Sequence, residues 1–288
     1  MTTSWHQAHS IGRFSALGIT AFALAVSASA CSDDAQSAAG PTPDDLTQAG
    51  AVTIGTTFDQ PGFGSLNTAT GEPEGFDVEI GKIIAADLGI APADITWVDV
   101  ASTQRETLIE DGTVDLVIAT FTITDQRKEA ISFAGPYLIA GQDLMVEKGN
   151  PASILGPEDL AGKTVCSVPE ATSTRKIKQD YPEAELALFD DYSACAQALK
   201  DGQVDAVTSD NVVLYGFAAD EPDAFEVVGN PFTEEPYGIG LQQTNSELRN
   251  FIDDSLEESF ADGSWLAAWE ATAGQFMPAP TPPEVDRY

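Results

Sequence analysis

A short apolar run that ends in hydroxyl side chains lies toward the end of the first half of the chain. Residues 116–119, Leu-Val-Ile-Ala, have the length and composition of a buried strand in a parallel sheet. Thr120, Thr122 and Thr124 follow, and Arg127 comes three residues later. Thr124 can cap a helix whose third residue is Arg127, which would hold the guanidinium over the carboxyl end of the strand. The pattern predicts a strand that ends in a polar pocket. An ordinary strand-to-helix loop with a surface arginine is the alternative.

The first half of the chain alternates between strand and helix patterns. A strand over residues 51–57 leads into a Gly/Pro loop over 58–64, and apolar residues at helical spacing predict a helix over 75–90. A strand over 96–100 and a helix over 104–110 follow. Because parallel strands need crossover helices between them, this alternation predicts an α/β fold with a parallel, doubly wound sheet.

The same alternation of strand and helix patterns begins again in the second half. Strands and helices alternate there over residues 163–168, 172–180, 186–189, 192–200 and 204–208. EDGTVDLVIAT (110–120) and KDGQVDAVTSD (200–210) have one shape, in which a helix end, a glycine, a Val-Asp pair and a buried strand precede polar residues. Two sheets of like design imply two lobes that face a shared cleft.

The boundaries of the two lobes follow from this internal similarity. We assign lobe 1 to residues 49–141 plus 236–275 and lobe 2 to residues 142–235. Segments 136–146 and 227–241 would cross between the lobes. Residues 276–288 form a Pro-rich tail that we expect to be extended or disordered.

The N-terminus predicts export. An apolar run over residues 14–30 precedes Cys31, and Ala-Ser-Ala directly before this cysteine resembles a bacterial lipobox, whose cysteine is lipidated. We expect residues 1–30 to be a lipoprotein signal peptide and residues 31–48 to be a flexible tether. A plain signal peptide with an incidental thiol at Cys31 is the alternative, and a transmembrane helix fits less well because the run is built from Ala and Ser.

Charge and composition exclude several function classes. The formal net charge of −33 disfavours nucleic acid and anionic lipid head groups as partners. Both histidines, His6 and His9, lie in the predicted signal peptide, so the mature chain can hold neither a Ser-His-Asp or Cys-His site nor a His-ligated zinc. We expect no metal and no cofactor. An anionic ligand would need local cations, and the mature chain has five arginines: Arg105, Arg127, Arg175, Arg249 and Arg287.

Two cysteines remain after Cys31. Cys166 and Cys195 are an even pair in what would be an oxidising compartment. A disulfide and two buried free thiols are both compatible with the sequence. A metal site at this pair is disfavoured because further ligands are missing.

Several segments together resemble a known family. GFDVEIGKIIAADLG (75–89) is similar to the signature of the family 3 extracellular solute-binding proteins, the polar amino-acid receptors of ABC importers. FDQPGFG, QRETLIEDGTVDLVIATFTITDQRKEAISFAGPY, GPEDLAGK, CSV, YSACAQALKDGQVDAVTSDN and VVGNPFTEEPYGIGL resemble the glutamate-binding lipoproteins of actinobacteria. The resemblance implies a two-lobed, hinged periplasmic-binding fold of type II with two crossover strands. It also implies a disulfide between Cys166 and Cys195.

An amino-acid ligand can be matched to residues at the predicted strand ends. Arg127, with donors from Thr120 and Thr122, suits the α-carboxylate because a guanidinium binds a carboxylate through two parallel hydrogen bonds. Asp210, at the end of the equivalent strand in lobe 2, suits the α-ammonium. Thr172 could add a hydroxyl and a helix N-terminus to the carboxylate.

The side-chain pocket is predicted from the resemblance. Acidic amino-acid receptors of this family carry an arginine at the place of Arg105, which would pair with a side-chain carboxylate; a solvated helix charge is the alternative. Phe58 and Gln60 would line the same pocket. The family usually has a glycine where this chain has Glu170, and we expect this carboxylate to point to solvent.

We therefore expect a monomeric, lipid-anchored receptor on the extracytoplasmic face of the cell membrane. It would close on L-glutamate, or on aspartate or glutamine, and deliver it to a membrane ABC permease. The same fold also hosts an extracytoplasmic dehydratase, which would need a general acid such as Asp59 or Asp125. An amino-acid sensor module with a separate signalling partner is a further alternative.

Overall fold

The computed structural model describes residues 40–288. The predicted signal peptide, the lipidation site Cys31 and the first part of the tether lie outside the described residues. Within the described range, none of the helices combines the length and the apolar character needed to cross a membrane.

The elements of the first part of the chain alternate as predicted. In order, they are α1 (Pro43–Ala49), β1 (Val52–Thr56), β2 (Asp59–Gln60), β3 (Gly64–Leu66), β4 (Pro73–Glu74), α2 (Phe76–Asp87), β5 (Ile95–Asp99), α3 (Arg105–Glu110), β6 (Leu116–Val117), α4 (Asp125–Lys128) and β7 (Ile131–Ala140). The predicted loop over 58–64 thus contains β2 and the start of β3, which form a small three-stranded sheet with β4.

The second part continues the alternation. Its elements are β8 (Gln142–Glu147), β9 (Thr164–Ser167), α5 (Thr172–Asp180), β10 (Glu185–Leu188), α6 (Tyr192–Lys200), β11 (Ala206–Asp210), α7 (Asn211–Asp220), β12 (Phe225–Val227), β13 (Glu235–Gln242), α8 (Ser246–Asp262) and α9 (Ser264–Ala271). Short 3-10 helices span Pro92–Asp94, Pro157–Leu160 and Ala273–Gln275.

Two five-stranded sheets of the same topology form the two lobes. The strand order is β5-β1-β6-β13-β7 in lobe 1 and β10-β9-β11-β8-β12 in lobe 2. The chain crosses from β7 to β8 through Gly141, and it returns between β12 and β13. The strand that enters each sheet, β8 or β13, runs antiparallel to its neighbours. The parallel part of each sheet follows the predicted doubly wound pattern, and the two crossing strands that the resemblance implies make the sheets mixed.

The similar segments 110–120 and 200–210 make matching hydrogen bonds in the structure. In lobe 1, the carboxylate of Asp115 accepts a hydrogen bond from Thr53 N at 2.8 Å. In lobe 2, the carboxylate of Asp205 accepts from Thr164 N at the same 2.8 Å. Each aspartate thus ties the start of a central strand to the strand beside it, which explains why the Val-Asp pair recurs.

Aromatic side chains fill the core of lobe 1. Phe76, at the start of α2, makes edge contacts with Trp265 (5.5 Å between centroids) and Trp269 (5.1 Å), and both tryptophans are 1% exposed. Ile80 and Ile84 lie on the same buried face of α2. The apolar residues that recur at helical spacing in the sequence therefore form the buried face of α2, which packs on α9.

The end of the predicted tether is ordered. Residues 43–49 form α1, which is capped by Thr42 and buries Leu46, and Asn245 donates a hydrogen bond to Pro41 O at 2.7 Å. The expectation of a flexible tether up to residue 48 was therefore wrong for these residues. The Thr-Pro-Asp-Asp sequence forms a capping box, which composition alone does not reveal.

The Pro-rich tail is extended but attached. No helix or strand is present over residues 276–288. Tyr288 Oη accepts a hydrogen bond from Phe133 N at 2.9 Å, and Arg287 pairs with Asp254 and Glu257. The disordered alternative for the tail was therefore wrong.

The disulfide expected from the resemblance is present. Cys166 on β9 and Cys195 on α6 are bonded, with 5.6 Å between their Cα atoms. The bond fixes α6 against β9 of lobe 2.

Candidate functional site

The central strand of lobe 1 ends in a strained turn. β6 stops at Val117, two residues earlier than predicted, and Thr120 has a φ of 45°, which is unfavourable for a β-branched residue. Thr120 N donates to the carboxylate of Asp77 at 2.7 Å, and Tyr137 Oη donates to the other oxygen of that carboxylate at 2.7 Å. The buried Asp77 thus holds the turn in place. Burial raises the pKa of Asp77 to about 7.

Arg127 lies where the sequence predicted. Thr124 caps α4, and its hydroxyl accepts from Arg127 N at 3.2 Å. The Arg127 guanidinium donates to Thr122 O (2.7 Å), Glu106 Oε1 (3.2 Å) and Glu170 O (3.4 Å). Burial lowers its pKa to about 10, with nearby Arg105 as the next cause. These three bonds leave two of the five guanidinium N–H groups for a ligand.

Arg105 is a second buried cation beside the first. It is 4% exposed, and its guanidinium lies 5.3 Å from the centroid of the Phe121 ring, which Arg127 approaches at 4.6 Å. Arg105 Nε has no hydrogen-bond partner among residues 40–288. Burial lowers the pKa of Arg105. The alternative of a solvated helix charge was therefore wrong.

Asp210 faces the cleft from lobe 2. β11 continues through this residue, two residues beyond the predicted end, and Tyr237 Oη donates to Asp210 Oδ2 at 2.6 Å. Asp210 Oδ1 is buried and has no partner in the described part of the chain. Burial, followed by the charge of Glu235, raises the pKa of Asp210 to about 7.

The start of α5 completes the lobe 2 wall. Thr172 is the first residue of this helix. Glu170 has a φ of 60°, the left-handed conformation that glycine adopts most easily, and its side chain is 67% exposed. The carboxylate of Glu170 thus points to solvent as expected, and the φ angle explains why a glycine suits this position.

Seven of the eight predicted binding residues line one inner space. It has a volume of ≈ 20 Å³, room for about one water molecule, and its walls are Gln60, Ser102, Arg105, Thr120, Thr122, Arg127, Ala171, Thr172, Ser173, Tyr192, Ser209 and Asp210. Phe58 instead lines the adjoining outer cleft of ≈ 310 Å³. The two spaces share Gln60, Ser102, Arg105 and Tyr192. Arg105 is therefore placed at the junction between them.

Sequence reasoning missed Asp77, Tyr192 and Tyr237. Asp77 lies in phase with Ile80 and Ile84 on α2, so helical periodicity placed a carboxylate on the buried face, which signals a specific hydrogen-bonding role. Tyr237 is fully buried in a crossing strand, and its sequence gave no signal of the bond to Asp210. Among the described residues, no group of three or more His, Cys, Asp or Glu side chains could hold a metal ion.

Known proteins are similar to this chain in sequence and in architecture. Residues 52–270 match the model of the bacterial extracellular solute-binding proteins, family 3. The chain is 40% identical over 226 residues to the glutamate-binding protein GluB of Corynebacterium efficiens, covering 75% of this chain and 76% of that protein. It is 39% identical over 215 residues to the ABC transporter glutamine-binding protein GlnH of Bacillus subtilis, covering 74% and 78%. The solved structure of the solute receptor for L-cysteine of Neisseria gonorrhoeae matches with a TM-score of 0.76 at 32% identity, covering 82% and 94%.

Proposed function

Because the chain belongs to the bacterial extracellular solute-binding proteins, family 3, we propose that it captures L-glutamate between its lobes and delivers it to an ABC permease. Membership in this family makes it an extracytoplasmic solute-binding component of a transporter. The choice of glutamate is the proposal, and it rests on the charges in the cleft.

The main observation behind this choice is the buried guanidinium of Arg105, whose Nε has no hydrogen-bonding partner in the described part of the chain. A buried cation without a hydrogen-bonding partner is costly, and a carboxylate from the ligand would supply both charge and acceptors. Arg127 offers its two remaining N–H groups to a second carboxylate. A ligand with two carboxylates matches the pair of arginines.

The lobe 2 side supplies the opposite charge. The unpartnered Oδ1 of Asp210 suits the α-ammonium, while Thr172 suits the α-carboxylate. Glutamate, with two carboxylates and one ammonium, complements two arginines and one aspartate. The relative named for glutamate supports this choice, and the relative named for glutamine gives the nearest rival ligand.

The binding step follows from the position of these groups on opposite lobes. Arg105 and Arg127 belong to lobe 1 and Asp210 to lobe 2, so only the closed state contacts both ends of the ligand. The inner space has only ≈ 20 Å³, less than an amino acid needs, so the proposal includes a parting of the lobes for ligand entry. Ligand binding would shift the population from open to closed.

The anchor and the oligomeric state belong to the same proposal. Attachment through a lipidated Cys31 would hold a monomeric receptor close to the permease. Mass spectrometry of the membrane-extracted protein tests the lipid, because a diacylglyceryl group adds a defined mass to the peptide that begins at Cys31.

The dehydratase alternative has less support. Of its two candidate acids, Asp125 is exposed at the start of α4, and Asp59 Oδ2 accepts a hydrogen bond from Tyr192 N at 2.9 Å. A general acid must present a proton to substrate, and Asp59, although it lines the outer cleft, uses one carboxylate oxygen in a contact between the lobes.

Isothermal titration with glutamate, glutamine, aspartate and arginine tests the proposal. Arg105→Gln should weaken glutamate binding by about 10- to 100-fold, the value of a hydrogen bond to a charged group, and glutamine binding by less than about 3-fold. Arg249→Gln is the matched control, because Arg249 contacts Ser132 of lobe 1 and Tyr288 of the tail and does not line the cleft. Absence of binding to any amino acid, or equal losses for glutamate and glutamine, would contradict the proposal.

A further inference from the structure

The segment 58–61 of lobe 1 touches two helices of lobe 2. Phe58, Asp59 and Gln60 line the cleft, and Asp59 and Pro61 also make direct contacts across it. The ligand contacts proposed above do not use Asp59 or Pro61. These two residues therefore need a separate account.

Asp59 binds the first turn of α6. Its Oδ2 accepts from Tyr192 N at 2.9 Å, and its main-chain carbonyl accepts from Ser193 Oγ at 3.3 Å. Asp191, the residue that caps α6 from within lobe 2, accepts from Ala194 N at 2.7 Å. One orphan N–H of α6 is thus satisfied by its own lobe and another by the opposite lobe. The bond from Tyr192 N to Asp59 can exist only when the lobes are together.

Pro61 packs against a glycine of α7. A Cβ atom built on Gly216 would lie 2.2 Å from Pro61 O, a main-chain atom that no side-chain rotation can move. Gly216 lies in the interior of α7, where glycine is less favourable than alanine. The helix therefore gives up local stability at this residue, and the close approach of lobe 1 is what the glycine permits.

We propose that Asp59 and Gly216 form an interlobe latch that sets the affinity and residence time of the ligand without touching it. The inference rests on the proposed binding of an amino acid. A contact made only in the closed state raises the closed population, and the apparent dissociation constant falls in proportion. Loss of the latch raises the dissociation rate for every ligand of the cleft, unlike loss of Arg105.

Gly216→Ala separates the latch from a structural role. The added methyl group favours helix α7, so the thermal midpoint of the ligand-free protein should stay the same or rise. The same methyl group collides with Pro61 O on closure, so glutamate and glutamine should both bind at least about 10-fold more weakly. Small-angle scattering with saturating glutamate should show a larger radius of gyration for the variant than for the wild type.

Gly81→Ala is the matched control. Its Cβ would lie 2.7 Å from Trp97 Cη2, a contact inside lobe 1. This variant should lower the thermal midpoint and leave the affinity of the folded protein within about 3-fold, since closure is not obstructed. The two glycine variants therefore have opposite signatures, which a general loss of packing does not produce.

Asp59→Ala and Asp59→Asn test the other half of the latch. Asparagine keeps an acceptor for Tyr192 N, whereas alanine removes it. In stopped-flow measurements, Asp59→Ala should raise the dissociation rate of glutamate about 10-fold, and Asp59→Asn should remain within about 3-fold of the wild type. Unchanged affinity in Gly216→Ala, or an unchanged dissociation rate in Asp59→Ala, would overturn the latch alone. A wild-type protein that binds none of the amino acids would contradict the proposed function and the latch with it.

Discussion

We expect glutamate binding to release a proton from Asp210. Burial and the nearby Glu235 raise the pKa of this carboxyl to about 7 in the ligand-free protein with its lobes together. An ammonium beside Oδ1 favours the ionised carboxylate, so the complex needs Asp210 without its proton. Binding should therefore weaken as the pH falls through 7, because the proton must leave before the ion pair can form.

The size of the effect follows from the pKa. If the pKa is about 7 in the free protein and far lower in the complex, the dissociation constant rises by the factor 1 + 10^(7 − pH). That factor is about 2 at pH 7, about 11 at pH 6 and about 30 at pH 5.5. The γ-carboxylate of glutamate titrates near about 4.3, below this range. Residues 40–288 contain no histidine, so no imidazole of this part contributes.

Isothermal titration at pH 6, 7 and 8, in two buffers of different ionisation enthalpy, measures both the affinity and the protons released. At pH 6 about nine-tenths of a proton should leave for each glutamate bound. Asp210→Asn should bind more weakly at pH 8 and show no pH dependence. Asp77, whose pKa is also raised to about 7, is the group that this control separates from Asp210. A wild-type affinity that is constant from pH 6 to 8, or an equal pH dependence in the variant, would refute the assignment.

Two further predictions concern stability. Replacing Cys166 and Cys195 together by alanine opens a loop with a sequence separation of 29, so the free energy of unfolding should fall by about 3 to 4 kcal/mol in urea titrations. The wild-type protein with reductant should approach the stability of the variant. If wild type and variant unfold at the same urea concentration in oxidising buffer, the estimate is contradicted. Asp77→Leu leaves Thr120 N and Tyr137 Oη without an acceptor, so it should lower the free energy of unfolding by about 2 to 5 kcal/mol and weaken glutamate binding. Asp77→Asn retains an acceptor for Thr120 N, so it should keep most of the stability and most of the affinity. Equal losses in the two variants would show that hydrogen bonding is not the cause.

Local patterns in the sequence predicted the parts of the site that depend on local geometry. Thr124 and Arg127 are three residues apart, and that spacing alone specifies the cap of α4. The helix over Phe76–Asp87 follows from its apolar spacing, and α5 and α6 begin and end where their patterns do. Such features need only the chain within one or two turns, so the sequence contains what determines them.

The features that were missed depend on contacts between distant parts of the chain. Tyr237 reaches Asp210 across 27 positions, and Asp59 reaches Tyr192 across 133. Neither pairing has a local sequence signal, because the distance in space is set by how the two sheets face each other. The turn at Thr120 has the same cause, since Asp77 on another element takes the N–H of Thr120.

The similarity of segments 110–120 and 200–210 connects the fold to the proposed chemistry. β6 and β11 are the middle strands of two sheets with the same order, and the segments 110–120 and 200–210 align Thr120 with Asp210. Equivalent positions of the two lobes therefore meet across the cleft, one beside the buried arginines and the other bearing a carboxylate. An α-amino acid carries its ammonium and its carboxylate on the same carbon. Two similar lobes that differ in charge at one aligned position can therefore contact one of these groups each. Exchanging Asp210 for threonine would make the two strand ends alike, and binding of any α-amino acid should then weaken together, whereas a loss confined to glutamate would place the ammonium contact elsewhere.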